Sequence, residues 1–317
     1  MVSGIYRRSL TVPAALFLLG ALPTPCLANA YGITPSRVYN YYAAGLRFPE
    51  SEYVEGAKYG LVGDGSTDNT AAFRALLGHG GRAVHVEAGT YVTGALDIPG
   101  NTTLLLDPGV IIKDSGRLIP SAKLITIDHN NVYIRGPGAE VLSDPRFYHG
   151  GEYRHGVFII GATDVVIDGL QSSGNSGDGF YIGSNHQEKP ALDVTLENCS
   201  ALHNRRNGLS ITAGVNITVR NCSFSYTRGT SPQFGVDIEP DTHVEPLTNI
   251  KLINVRTVAN ASGGISVYLG SAYHPRNPIG IEIVNHQSID ERRPYYANGV
   301  GKVPGTVAYN GKKIVTP

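Results

Sequence analysis

His155-Gly-Val-Phe-Ile159, Asp178-Gly-Phe-Tyr-Ile182, Asn207-Gly-Leu-Ser-Ile211, Phe234-Gly-Val-Asp-Ile238 and Gly263-Gly-Ile-Ser-Val267 are one strand written five times. Their shared glycine falls at 156, 179, 208, 235 and 264, a period of 23 to 29 residues. After each glycine the pattern runs apolar, variable, apolar. A second short strand follows each of these, at Val165–Ile167, Val194–Leu196, Ile217–Val219, Ile250–Leu252 and Ile281–Ile283. Asn198, Asn221, Asn254 and Asn285 close four of them. Short alternating strands repeated at this period specify a solenoid, in which each coil buries its apolar face against its neighbours. Stacking sets equivalent positions in columns roughly 4.8 Å apart, so residues far apart in the chain become readable as neighbours.

Composition agrees with an all-β chain. Among 317 residues there are 39 glycines, no tryptophan, and 18 tyrosines against 8 phenylalanines. Glycine-rich turns between β-branched strands argue against a helical protein. Formal net charge is zero, which argues against nucleic acid as a partner. At the N-terminus Arg7 and Arg8 precede an apolar run from Leu10 to Leu22, and Ala28-Asn29-Ala30 has the small-x-small form of a cleavage site. The run is too short to span a bilayer. Residues 1–30 are therefore expected to be a signal peptide. The mature chain, 31–317, is then one β-helix domain, exported to the periplasm or beyond and free of the membrane once the signal is removed.

Residues 31–55 read as an extended arm. Gly63-Asp64-Gly65 then leads into a short amphipathic helix, Ala71–Leu77, with Asp68 or Thr67 as N-cap. This helix is placed to cover the open end of the core. The first coils run through Ala83–Val92, Thr102–Leu106, Val110–Ile112 and Ile125–Ile134, the framed coils from about 155 to 289, and the tail adds a weak last coil. Cys199 and Cys222 occupy one column with Leu170, Val255 and His286. That column reads as a buried ladder, and its spacing is also compatible with a disulfide. The periodic asparagines read as stacked amides holding a turn.

Gly63-Asp-Gly-Ser-Thr-Asp-Asn-Thr-Ala-Ala-Phe73, followed by Glu87-Ala-Gly-Thr-Tyr91, resembles the N-terminal signature of the pectate-lyase-like superfamily. That group includes polygalacturonases, rhamnogalacturonases, epimerase-like proteins and phage tailspikes. The resemblance implies a right-handed parallel β-helix and polysaccharide as substrate class. The polygalacturonase pattern of paired aspartates, Gly-His-Gly and Arg-Ile-Lys does not occur in this chain, nor does the Asp-Pro-His of mannuronan epimerases. Fold is thus better specified than reaction.

The columns locate candidate chemistry. Val157, Phe180, Leu209, Val236 and Ile265 must face the core, as must Ile159, Ile182, Ile211, Ile238 and Val267. Between them Phe158, Tyr181, Ser210, Asp237 and Ser266 face outward, followed by Ile160, Gly183, Thr212, Glu239 and Tyr268. One outer patch gathers Asp178, Tyr181, Asn207, Ser210, Asp237 and Glu239. Long turns from Gly183, Pro240 and Gly270 flank it on one side, and Arg205, Arg206 and Arg228 on the other, as a groove for a chain-like ligand requires.

Asp237 and Glu239 stand about 6.6 to 6.8 Å apart at Cα, within the roughly 6.5–9.5 Å that inverting glycosidases keep between carboxyls. Asp178 lies on the order of 10 Å away by stacking, and Asp241 follows in the loop. The reading is hydrolysis of a glycosidic bond by Asp237 and Glu239 with Asp178 assisting. The arginines would bind the carboxylate of a uronate-containing polymer. A lyase or uronate epimerase remains the alternative, with Tyr181, His203 or an arginine as base. A non-catalytic carbohydrate-binding β-helix is the third reading. His186 and His243 read as loop surface. No cofactor is expected, although Asp237, Glu239 and Asp241 are oxygen donors of the kind Ca²⁺ accepts.

Overall fold

The computed structural model describes residues 53–147, 152–270 and 278–315. The signal segment and all but the end of the expected N-terminal arm lie outside these residues. Three parallel sheets run the length of the molecule, of eleven, nine and eight strands. Each coil contributes one strand to each sheet, and sequence-distant strands pair coil upon coil. The result is a three-faced parallel β-helix. Tyr53–Glu55, the end of the expected arm, pairs with Ala83–His85 as the first strand of the longest sheet. That sheet ends at the other side in an antiparallel pair, Gly305–Tyr309 with Lys312–Val315. Such a pair closes a sheet edge that would otherwise be open to another chain.

The registers match the columns read from the repeats. Val157 pairs with Phe180, Phe180 with Leu209, Leu209 with Val236 and Val236 with Ile265. All five are fully buried. The second strands stack in the same way, Val165 on Val194, Ile217 and Ile250. Cys199 and Cys222 are buried free thiols within that core, as the ladder reading requires.

The glycine column has a steric cause rather than a conformational one: none of the five adopts the left-handed region. A Cβ at Gly208 would stand 2.6 Å from the carbonyl oxygen of Gly235 and 2.7 Å from Phe224 Cβ. At Gly179 it would meet Gly208 O, Ala201 Cβ and Asn204 Nδ2, all at 2.7 Å. Here the turn passes so close to the next coil that only hydrogen fits. A second column explains how the turn backbone stays satisfied. Asn175 Nδ2 donates to Asn204 Oδ1 at 2.8 Å, and Asn204 Nδ2 donates to the Ser172 carbonyl at 3.1 Å. Two coils on, Asn260 Nδ2 donates to the Phe224 carbonyl at 3.0 Å. All three asparagines are buried, where an unpaired amide would be costly.

The exposed asparagine ladder is also present. Asn285, Asn254 and Asn221 each donate to the asparagine one coil back, at 2.9, 3.0 and 3.5 Å, and Asn198 donates to Asp168 at 2.8 Å. Each of the four sits at φ between 54° and 55°, a region asparagine tolerates.

The capping helix spans Thr70–Leu77 and buries Phe73, Leu76 and Leu77. Its N-cap position is Asn69, not Asp68 or Thr67. The Asn69 side chain is tied instead to Val62 and Thr67. Asp68 still accepts from the Thr70 N–H at 2.9 Å, so the capping bond comes from one residue outside the cap position.

Replacing Gly208 by alanine forces a methyl into backbone. It is expected to destabilise the protein by roughly 1–3 kcal/mol, the usual cost of overpacking a tight site. Urea unfolding of the two proteins measures this. Equal midpoints would show that the corner has room.

Candidate functional site

The eight-stranded sheet carries the candidate site on its outer face. Phe158, Tyr181, Ser210, Asp237, Ser266 and Tyr296 form one column along it, as their registers show. The column is high at both ends and low in the middle. Phe158 and Tyr181 stack at 4.9 Å on one side, and Tyr296 stands on the other with Phe234 at 6.2 Å. Ser210, Asp237 and Ser266 form the floor between these aromatic walls.

Asp237 lies on this floor, 3% exposed, and Glu239 beside it is partly open. The two carboxyls are near enough that each alters the proton affinity of the other. Burial pushes Asp237 up from the ordinary aspartate value of 3.8 to about 7, with the charge of Glu239 adding to the effect. The Ser266 hydroxyl and Arg206 pull the other way without cancelling it. Burial likewise raises Glu239, against the pull of Arg206 and of the bond from Asp237. Both carboxyls thus hold a proton more tightly than free ones, as happens when like charges meet in a poorly solvated site. Asp237 Oδ1 is buried with no hydrogen-bond partner among the described residues.

Arg206 is the cation beneath this pair, and its Nη1 is already engaged. Nη1 donates to Asp178 Oδ2 at 2.9 Å and to Ser210 Oγ at 3.1 Å, and Nε lies 3.2 Å from Glu152 Oε2. Burial opposes its charge, but the carboxylates of Asp178, Glu152 and Asp237 outweigh burial and hold the guanidinium above its ordinary value. Asp178 is completely buried. Its Oδ1 also accepts the Asn207 N–H at 2.9 Å. Burial raises its pKa more than Arg206, Ser210 and Asn207 lower it. Its contacts make it the anchor of Arg206 rather than a group within reach of a ligand. Asn207 is also buried, with Nδ2 donating to Ser210 Oγ and Oδ1 accepting the Phe234 N–H.

The remaining candidates separate. The Tyr181 hydroxyl lies 3.0 Å from Thr212 Oγ1 and donates to Asp241 Oδ2 at 3.3 Å, so Asp241 belongs to the lip of the valley. Burial first, then the Asp241 charge, pushes the Tyr181 phenol well up. Glu245 stands on the same loop, raised by burial. Arg205 holds the turn through its backbone, donating to Asn175 O and accepting from Thr230. Arg228 is exposed on that turn. His203 is exposed and stacked on Tyr226 at 5.1 Å, on the shoulder that follows Ser200–Leu202. The loop from Gly270 lies mostly outside the described residues.

One residue escaped the sequence reading. His155 is fully buried between Phe158 and Tyr181, at 5.4 and 4.9 Å. Its Nδ1 accepts the Asp178 N–H at 3.0 Å, which places the ring proton on Nε2. Burial first, then Lys123 and Arg206, keeps it neutral well below its ordinary value. Among the described residues no cluster of three His, Cys, Asp or Glu side chains is disposed to hold a metal ion. No described helix is long and apolar enough to cross a membrane.

A family model described as the right-handed beta helix region matches residues 97–285, more than half of the chain. The chain belongs to the right-handed β-helix family. Among curated relatives, the uncharacterized protein YclG of Bacillus subtilis is 26% identical over 258 residues, covering 68% of this chain and 44% of YclG. The chain therefore spans less than half the length of that relative. Among solved structures, the N-terminal fragment of bacteriophage phi29 gene product 12 superposes with a TM-score of 0.65 at 18% identity, over 84% of this chain and 46% of that one. The tailspike gp49 of Acinetobacter baumannii bacteriophage Fri1, a capsular polysaccharide depolymerase, superposes with a TM-score of 0.63 at 15% identity. That match covers 79% of this chain and 48% of gp49. At these identities the family likeness is one of fold.

The buried acid has a thermodynamic consequence. Unfolded, Asp237 ionises near 3.8; folded, near 7. Between those values the folded state holds the extra proton, so the stability present below about pH 4 is lost as pH rises toward 7. The slope is at most roughly 1.4 kcal/mol per pH unit. Asp237→Asn has no proton to lose. Its Tm relative to wild type is expected to rise between pH 4 and pH 8, as thermal melts at the two values would show. A constant difference would mean that Asp237 titrates normally.

Proposed function

We propose that this protein cleaves glycosidic bonds in a polysaccharide by acid–base hydrolysis, with Asp237 and Glu239 as the reacting carboxyls. The observation that carries the reading is the pairing of two acids, Asp237 buried and Glu239 partly open, on the floor of an aromatic-walled valley. Near neutral pH one member of the pair is protonated and the other ionised. The protonated carboxyl gives its proton to the leaving glycosidic oxygen, and the carboxylate takes a proton from the attacking water. The aromatic walls offer apolar contact to sugar rings. The fold shared with a capsular polysaccharide depolymerase supports the substrate class.

Two features weigh against elimination. The Tyr181 phenol is pushed above its ordinary value, which makes it a poor base at neutral pH. Arg206 is already paired with the carboxylates of Asp178 and Glu152, which offset the charge it can offer to a substrate carboxylate. In this reading Asp178 holds Arg206 in place, and Arg206 limits how far the pair is raised. The basic and apolar N-terminal segment favours action outside the cytoplasm.

The test incubates the protein with pectins, alginate, glucuronans and bacterial capsules, with and without calcium, and follows new reducing ends and ultraviolet absorbance together. Reducing ends without absorbance are expected, with activity falling as pH rises past about 7. Asp237→Asn should lower turnover at least about 100-fold without loss of fold. Unsaturated products would replace hydrolysis by elimination. Full activity in Asp237→Asn would overturn the assignment.

A further inference from the structure

The outer face of the eight-stranded sheet continues beyond the valley, toward the N-terminal coils. Ile125 pairs with Val157, which puts Lys123 in the column of His155, Asp178 and Asn207, one coil before His155. The Lys123 ammonium lies 4.6 Å from the Phe158 ring centroid and 5.8 Å from that of Tyr153. It caps the stack formed by Phe158 and Tyr181. One of its three protons goes to the Ser121 carbonyl at 2.7 Å. Burial alone pushes this ammonium down from its ordinary value; no carboxylate opposes the shift. Glu152, next to Tyr153 in the chain, is directed at Arg206, and the neighbouring His155 is neutral. Tyr153 stands beside Lys123 with 58% of its surface exposed. A half-buried cation without a counter-ion among the described residues, next to an open aromatic ring, is incomplete in a way that an anionic sugar would complete.

The valley floor has the opposite character. Asp237 and Glu239 gather there, with Asp241 at the lip and Glu245 close by, and the nearby Arg206 is already paired with Asp178 and Glu152. An anionic sugar at that point would meet like charge. From the Lys123 coil to the Asp237 coil is four steps, about 19 Å at the coil spacing.

We propose that Lys123, with Tyr153 and Phe158, forms a subsite for an anionic sugar residue, and that the substrate is a heteropolysaccharide carrying its acidic residue about 19 Å from the neutral linkage placed at Asp237. The proposal rests on the valley being where a glycan is cut. The carboxylate of the sugar pairs with the Lys123 ammonium, and the ring lies against Tyr153. Charge therefore sets the register of the polymer: the acidic residue is attracted at one end of the groove and repelled at the other.

The test is affinity electrophoresis of the full chain carrying Asp237→Asn, so that polymers survive. The probes are uronate-containing bacterial capsular heteropolysaccharides and the same polymers after reduction of their carboxyls to alcohols. At least one native polymer is expected to bind at least tenfold more tightly than its reduced form, and less tightly as salt rises. Adding Lys123→Gln should remove that tenfold preference, and Lys123→Arg should keep most of it, which separates a lost charge from a lost fold. Equal affinity for native and reduced polymers, an unaltered preference in Lys123→Gln, or no binding to any acidic polymer would overturn the subsite. The wild-type protein separates this proposal from the hydrolase reading. Cleavage unaffected by Lys123→Gln would sink the subsite alone. Lys123-dependent binding with no cleavage of the bound polymer would sink the hydrolysis alone.

Discussion

Each coil of this protein must lie on the next at hydrogen-bonding distance, along three faces at once. A parallel ladder admits little variation in that spacing, so the corners have to be as thin as the strands. The glycine at 156, 179, 208, 235 and 264 meets this demand where one turn crosses the next coil's carbonyl. The buried asparagines behind it answer the second demand, that backbone drawn inside at a corner still finds partners. The apolar columns supply most of the driving force, but they can close only because the corners fit.

The site follows from the same geometry. In-register stacking allows no side chain to retreat sideways, so acids placed two apart on an outward strand stay together whatever their charges prefer. The protein manages the resulting repulsion with a single guanidinium, and that guanidinium is fixed from below by a fully buried aspartate. Asp178 costs burial energy to hold Arg206, and Arg206 in turn moderates Asp237 and Glu239. Removing any one member changes the proton affinity of the others, which is why the pair titrates as a unit.

Much of this was legible in the chain because period and stacking convert sequence into adjacency. The columns through Val157 and Phe158, the thiol and asparagine ladders, and the grouping of Tyr181, Ser210, Asp237 and Glu239 all followed from spacing. What did not follow lies in the turns. Strand periodicity gives the direction of Asp237 but says nothing about where an arginine in a corner will point. Arg206 therefore turned inward to Asp178 rather than outward to a ligand, while Arg228 and His203 came to rest on exposed turns. Lys123 was missed for a different reason. Its coil belongs to the frame, but Leu124 stands where the later repeats have glycine, so the motif is unrecognisable until the pairing of Ile125 with Val157 is seen.

The exposed asparagine ladder has a direction. Every amide donates toward the coil before it, and the series runs from Asn285 back to the carboxylate of Asp168. Each rung is complete when it has one neighbour on either side, and nothing in a rung records how many lie beyond it. Removing a whole coil leaves a junction chemically identical to the ones around it, whereas removing part of a coil breaks all three faces at once. Length in such a molecule is therefore counted in whole coils, and a groove along one face can gain or lose binding positions in steps of a single coil without redesign of the positions that remain.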